Sequence, residues 1–429
     1  MQLDQKRKPR TSQRTAQLES KDVLLEPGKT VERGSGYEHV KLESFGLFES
    51  RASVRNIRGD AVSEGPILPS EYCQQRLDAL YERVSACREE FIGYPLNLDF
   101  DYSEVLAPFL RFSLNNVGDP YQRVPTNLSA LQTHDFEREV LEIFCGLTGG
   151  SPADVSGYVT NGGTEGNMYG LYLAREVLPR GIVYFSDACH YSVFKILRVL
   201  QMRSVRIRTD GRGEMDYNHL RETLQANRDL PAIVFANIGS TMTGAIDSLP
   251  RIKAAVSEAA TCRSYIHCDA ALSGFVLPFA PNPQPFGFSD GADSISVSGH
   301  KLIGSPIPCG VVLARRCHVE GIGSNIEYVG ALDTTLSGSR NGLTPLVLWY
   351  AFRSRGIRTV RDMVRRALDV AAYATEQLRA AGVDAWRHEN SLIVVFPRPS
   401  ECLVKRWHLA AQADIAHLVT MPHVSRNQG

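Results

Sequence analysis

The chain has 429 residues, of which 47 are basic and 47 acidic, so its formal net charge is zero. That balance gives no electrostatic pull toward nucleic acid or an anionic membrane, and the length suffices for one large core and a smaller one. No apolar run approaches the ~18 residues a membrane span needs, so the expectation is a cytoplasmic protein of small-molecule chemistry.

Nine cysteines, an odd number with no CxxC pair, argue against both a disulfide framework and a zinc knuckle. Residues 1–65 are polar and lack sustained periodicity, which predicts a disordered tail. Its KRKPR run at 6–10 reads as solvated charge or as an anion-binding address. From Ser70 onward Tyr72, Leu77, Leu80, Tyr81, Val84, Cys87 and Phe91 recur at helical spacing, which predicts a helical arm over 66–105 that needs a partner surface.

Residues 106–316 alternate short apolar runs with amphipathic segments. GYVTN, GIVYFS, SVRIRT, AIVFANIG, YIHCDA, SISVSG and GVVLAR read as strands, with LYLAREVL, FKILRVLQM and LPRIKAAVSEAA as helices among them. Such alternation predicts an α/β domain with a mainly parallel seven-stranded sheet and a ligand at the strand C-terminal ends. A Gly/Ser-rich link follows residue 316. Helices near 346–355 and 361–380 and strands at SLIVVFPRP and HLVTMPHV then predict a smaller α+β domain over 317–429.

Four stretches at those strand ends carry chemistry. TNGGTEGN, at 160–167, joins a strand to a helix, and its glycines let the backbone approach a ligand while the helix start offers N–H groups to an anion. Alone it is equally a tight turn, since it lacks the GxGxxG and GxxxxGK[ST] spacings. In YIHCDAALSG, Asp269 ends an apolar strand before small residues; it is a structural cap or the partner of a protonated ring nitrogen. His267 and Cys268 beside it do not make a metal site, because neighbours on a strand point to opposite faces. In SDACHYSVFKI, His190 follows a strand and opens a helix. Lys301, in SVSGHKLIGSPIPCG, stands among apolar and small residues on a loop at the same rim. Desolvation lowers a lysine's pKa, and a neutral amine forms an imine with an aldehyde. An anion cradle, a carboxylate, a flat platform and an imine-forming amine together match the phosphate, ring nitrogen, ring face and aldehyde of pyridoxal 5'-phosphate.

In order and wording these stretches resemble the group II pyridoxal-phosphate-dependent amino-acid decarboxylases, and within them the branch of bacterial histidine and plant serine decarboxylases. YPLNLDFDYSEV, LRFSLNNVGDP, HDFEREVLEIF and DTTLSGSRNG support the same branch, so the resemblance spans 92–423. It implies a fold type I large domain and a homodimer whose active sites form at the subunit interface, with DTTLSGSRNG reaching the partner's cofactor. It also implies that Lys301 carries the cofactor, with Ser298 and His300 near the phosphate. Asp269 keeps the ring nitrogen protonated, Ala271 packs under the ring and His190 stacks on its other face. Gly163 and Thr164 bind the phosphate through helix-start N–H groups, and Thr241 of GSTMTG lies near the ring or the substrate carboxylate. Tyr328, in SNIEYVG, is the candidate proton donor to the α-carbon, because its Gly- and Asn-containing surroundings suggest a closing loop. Cys189 departs from the pattern, standing where a hydroxyl residue is common, and TNLSALQTHDFERE differs from the histidine and serine versions.

The expected reaction is decarboxylation of an L-amino acid, with histidine the leading substrate and serine or another small or apolar amino acid the alternative. Transamination, β-elimination or a catalytically inactive interaction protein are the other readings of the same fold.

Overall fold

A computed structural model of the chain describes residues 69–122, 128–328 and 330–427. The polar tail and its KRKPR run lie outside the described residues.

Apolar runs build the central sheet. In space its strands follow the order Val155–Thr160, Gly310–Arg315, Ser294–Ser298, Ser264–Asp269, Ala232–Asn237, Ile182–Ser186 and Ser204–Ile207. All seven are those read from the sequence. Gly310–Arg315 runs antiparallel to both its neighbours, and the other pairings are parallel. The interior strands are buried along nearly their whole length because helices cover both faces, and the polar residues they carry, among them His267, Asp269 and Ser294, are buried with them. Along Ala232–Asn237, Val234 and Ala236 enter one buried cluster while Ile233 and Phe235 enter another, so strand alternation divides the core into two layers.

Helix Gly163–Val177 lies on one face, against Ser294–Ser298, Gly310–Arg315 and Ser264–Asp269. It starts inside the glycine motif, earlier than the sequence pattern suggests. On the other side His134–Leu147 packs against Val155–Thr160. That helix and Tyr217–Ala226 are not among the helices read from the sequence: each keeps a mainly apolar buried face, but charged and polar residues between those positions leave no apolar run. The segment after 316 is more structured than a link. It forms helix Arg316–Glu320 and a hairpin of Ser324–Ile326 with Ala331–Asp333, and its strand Ser339–Asn341 pairs with Asn115–Val117.

Beyond it, helix Leu343–Trp349 continues through a π-helical turn at Tyr350–Ser354, and the 24-residue helix Ile357–Ala380 follows. The long helix backs a three-stranded antiparallel sheet ordered Ile393–Pro397, Ile415–Val419, Ala410–Gln412. The predicted arm helix forms over Ser70–Ala86, but none of its residues is buried within one chain. Residues 91–97 then run beside the small sheet: Val419 donates its backbone N–H to Ile92, and Ile92 donates to Trp407. The approach is close enough that a Cβ at Gly93 would lie 2.1 Å from the carbonyl oxygen of His408.

Candidate active site

Parallel strands align their C-terminal ends on one rim, and Thr160, Ser186, Asn237, Asp269 and Ser298 all end there. A cavity of about 210 Å³ opens at this rim, walled on its far side by Tyr94 and Pro95 and by Asn390, Ala410 and His417 of the small sheet unit. Lys301, Asp269, His190, Gly163, Thr164, Ala271, Ser298, His300 and Thr241 all line it. Tyr328 does not: it is 86% exposed at the turn of the hairpin that follows Ile326.

Gly162 adopts φ +136°, where glycine is favoured, and turns the chain from its strand into the helix beginning at Gly163. A Cβ at Gly163 would stand 2.6 Å from Ser298 Oγ and 3.6 Å from Ala271 Cβ, so the missing side chain opens a cradle between the helix start and the strand end. First-turn N–H groups face an anion there without steric screening. His300 borders the cradle and donates from Nδ1 to the Cys309 carbonyl at 2.9 Å. Burial lowers its pKa, which leaves Nε2 unprotonated over more of the neutral range.

Asp269 is buried at its strand end. Its Oδ1 accepts the Ala271 backbone N–H at 3.1 Å and its Oδ2 accepts Asn167 Nδ2 at 2.8 Å. A carboxylate offers about four acceptor positions, so capacity remains for one further donor from the cavity. Lys301 sits on the turn after Ser298. Burial lowers its pKa, which favours the neutral amine, while the charge of Asp269 opposes that shift. His190 Nδ1 lies 2.8 Å from Ser192 Oγ, an orientation that fixes the ring at the cavity edge. Burial also lowers its pKa, Asp269 pulling the other way and Lys301 and Lys195 reinforcing the shift. Beside it, burial and then Asp269 push the Cys189 thiol up to about 12, so this sulfur is no nucleophile at neutral pH.

Thr241 lies on an exposed turn bounded by Gly239 at φ +100° and Gly244 at φ +71°. Ser240 and Thr243 share a hydrogen bond of 2.8 Å that holds this turn over the cavity. The sequence reading missed the walls contributed by Tyr94, Asn390 and His417. They lie outside the four motifs, Tyr94 66 positions before the first and Asn390 and His417 80 or more after the last, and no local pattern marks them.

The donor set fits pyridoxal phosphate: a cradle free of side chain for an anion, a carboxylate with spare acceptor capacity, and a lysine amine whose pKa burial lowers share one cavity. Known proteins agree with that chemistry. A family model described as the pyridoxal-dependent decarboxylase conserved domain matches residues 154–396. The chain is 48% identical to a histidine decarboxylase of Pseudomonas entomophila (strain L48) over 82% of its own length and 86% of that protein. It is 46% identical to a histidine decarboxylase of Klebsiella aerogenes, over 82% of this chain and 92% of that one. Among solved structures, L-methionine decarboxylase from Streptomyces sp.590 superposes with a TM-score of 0.76 at 26% identity, covering 86% of this chain and 95% of that one.

Proposed function

The chain belongs to the pyridoxal-dependent decarboxylase family, and we propose that within it the substrate is L-histidine, converted to histamine and carbon dioxide. The observation that carries the substrate is the 44–48% identity to histidine decarboxylases of several bacteria, over most of their length. We further propose that the working unit is a homodimer.

When bound, pyridoxal phosphate supplies an aldehyde that condenses with amines and a protonated ring that takes up the electron pair left as carbon dioxide departs. Lys301 is the chain's own amine for that aldehyde, and burial prepares it by raising its neutral fraction. Asp269 sets a negative charge against the ring nitrogen, fixed by its bonds to Asn167 and Ala271. Such preorganised charge costs no reorganisation when the electrons move. His190 and Ala271 both border the space between and would lie on the two sides of the flat ring. Gly163, Thr164 and Ser298 hold the anionic end, with Thr241 beside the substrate carboxylate. Residues 94, 95 and 417 close the far wall and keep water out.

A proton must then reach the α-carbon. We assign it to the Tyr328 hydroxyl, brought from its hairpin turn by closure of that hairpin or by the second subunit; its exposure in a single chain fits either route.

Supplying the holoenzyme with each common amino acid and measuring amine, carbon dioxide and keto acid tests the proposal. Histamine with stoichiometric carbon dioxide is expected. An amine from serine or another amino acid in its place overturns the substrate, and keto acid without carbon dioxide overturns the reaction.

A further inference from the structure

The alternation that separates His267 from Cys268 also puts His267 and Asp269, two residues apart, on the same face of their strand. Cys268 turns into the opposite core layer. His267 turns toward helix Gly163–Val177, where a Cβ at residue 170 would lie 2.1 Å from His267 Nδ1 and 2.9 Å from Ser294 Oγ. Only a glycine at position 170 lets the helix settle onto this ring.

The polar atoms around His267 have one consistent proton assignment. Asp269 Oδ2 lies 2.8 Å from the Asn167 side chain, and a carboxylate only accepts, so the Asn167 amide nitrogen faces it. The Asn167 carbonyl oxygen therefore faces His267 Nε2, at 3.0 Å, and Nε2 must carry a proton. Full burial drives the His267 pKa down to about 3, so the ring is neutral and Nδ1 is a bare acceptor. Ser294 Oγ, 2.7 Å away on the neighbouring strand and in register with His267, then donates to it. Every donor points the same way: Ser294 to His267, His267 to Asn167, Asn167 to Asp269. Hydrogen bonds in such a buried chain polarise one another.

We infer that Ser294, His267 and Asn167 form a positioning relay that holds the Asp269 carboxylate in place for the ring nitrogen of the bound cofactor. The relay rests on the pyridoxal phosphate reading and deepens it. His267 touches neither substrate nor cofactor; it acts through Asn167. The Asn167 amide can rotate, and with His267 donating to its oxygen only one orientation presents an N–H to Asp269. Without that donor the amide loses its fixed direction, Asp269 loses its fixed rotamer, and the ring nitrogen keeps its proton less firmly. Cofactor affinity and ring protonation are therefore the properties that the relay controls.

The test uses the full chain in its apo form, reconstituted with pyridoxal phosphate carrying nitrogen-15 in the ring. Cofactor Kd and the ring-nitrogen chemical shift are read for wild type, His267→Phe, His267→Gln and Asn167→Ser. Loss of one buried hydrogen bond predicts a Kd raised about tenfold in His267→Phe, with the nitrogen shift moved toward the unprotonated ring. His267→Gln keeps an N–H for the Asn167 carbonyl and recovers most of both properties, which a purely space-filling role for His267 does not predict. A folded His267→Phe with wild-type Kd and wild-type shift overturns the relay. Should circular dichroism show that His267→Phe does not fold, Asn167→Ser decides by the same readouts, and wild-type values there overturn it equally. A wild-type chain that takes up no labelled cofactor instead overturns the functional reading beneath it.

Discussion

Asn97 donates its backbone N–H to the carbonyl of Lys301 at 3.2 Å, and its side-chain amide to the carbonyl of Leu302 at 2.8 Å. The turn that carries the reactive amine is thus held by a residue some two hundred positions earlier. Asn97→Ala leaves the buried Leu302 carbonyl without its side-chain donor, a loss of about 1–3 kcal/mol. The thermal midpoint of the apoprotein should fall, and cofactor uptake should slow. Differential scanning calorimetry and stopped-flow absorbance measure the two effects, and a midpoint at the wild-type value would remove this role from Asn97.

Lys301→Ala removes the amine that bonds to the cofactor aldehyde. Added pyridoxal phosphate should give no visible band that borohydride can trap on the protein. A reducible yellow adduct that survives the substitution would assign the linkage to another lysine.

Asp269→Asn keeps the shape of the site but removes the charge opposite the ring nitrogen. Cofactor should remain bound while turnover falls by about a hundredfold or more. Carbon dioxide release measured alongside bound cofactor separates the two, and near-normal turnover would show that the ring nitrogen is handled by another group.

Burial depresses the pKa values of His267, from 6.5 to about 3, and His134, from 6.5 to about 4. In the unfolded chain both take a proton near pH 6.5, whereas the folded chain resists until those lower values. The unfolded state therefore binds more protons between about pH 6.5 and 3, and stability falls as pH falls through that window. Urea unfolding of the apoprotein across this range should show the decline, and His267→Gln should flatten part of it. A decline of unchanged size in that variant would locate the proton uptake elsewhere.

Tyr328→Phe should leave cofactor Kd unchanged, because the side chain lies outside the cavity of its own chain. If the hydroxyl delivers the last proton, amine formation falls by about a hundredfold and an aldehyde by-product appears. Unchanged decarboxylation without aldehyde would end its candidacy.

How much of this was legible in the sequence depended on distance along the chain. All seven strands of the main sheet were visible because each is a short apolar or alternating stretch between breakers, and the cavity residues at their ends stood out because they follow those stretches directly, unlike Tyr94, Asn390 and His417. Helix His134–Leu147 buries Val140, Leu141, Phe144 and Cys145 at helical spacing, a pattern present in the sequence but interrupted by charged residues and so not visible as an apolar run. The strand Asn115–Val117 exists through pairing with Ser339–Asn341, a partner no local window contains. His267 was visible but weighed only as part of a metal set with Cys268 and Asp269. The informative comparison was the next residue but one, together with Gly170 on a separate element.

The stretch from Ile92 to Asn97 is anchored at one end on the small sheet and at the other on the turn bearing Lys301. Its length therefore works as a gauge between the small sheet and the turn that carries the reactive amine. Deleting or inserting a single amino acid between those anchors would displace the small sheet against the Lys301 turn by about 3.3 Å, the reach of one extended residue, and would disturb the buried cluster that both share.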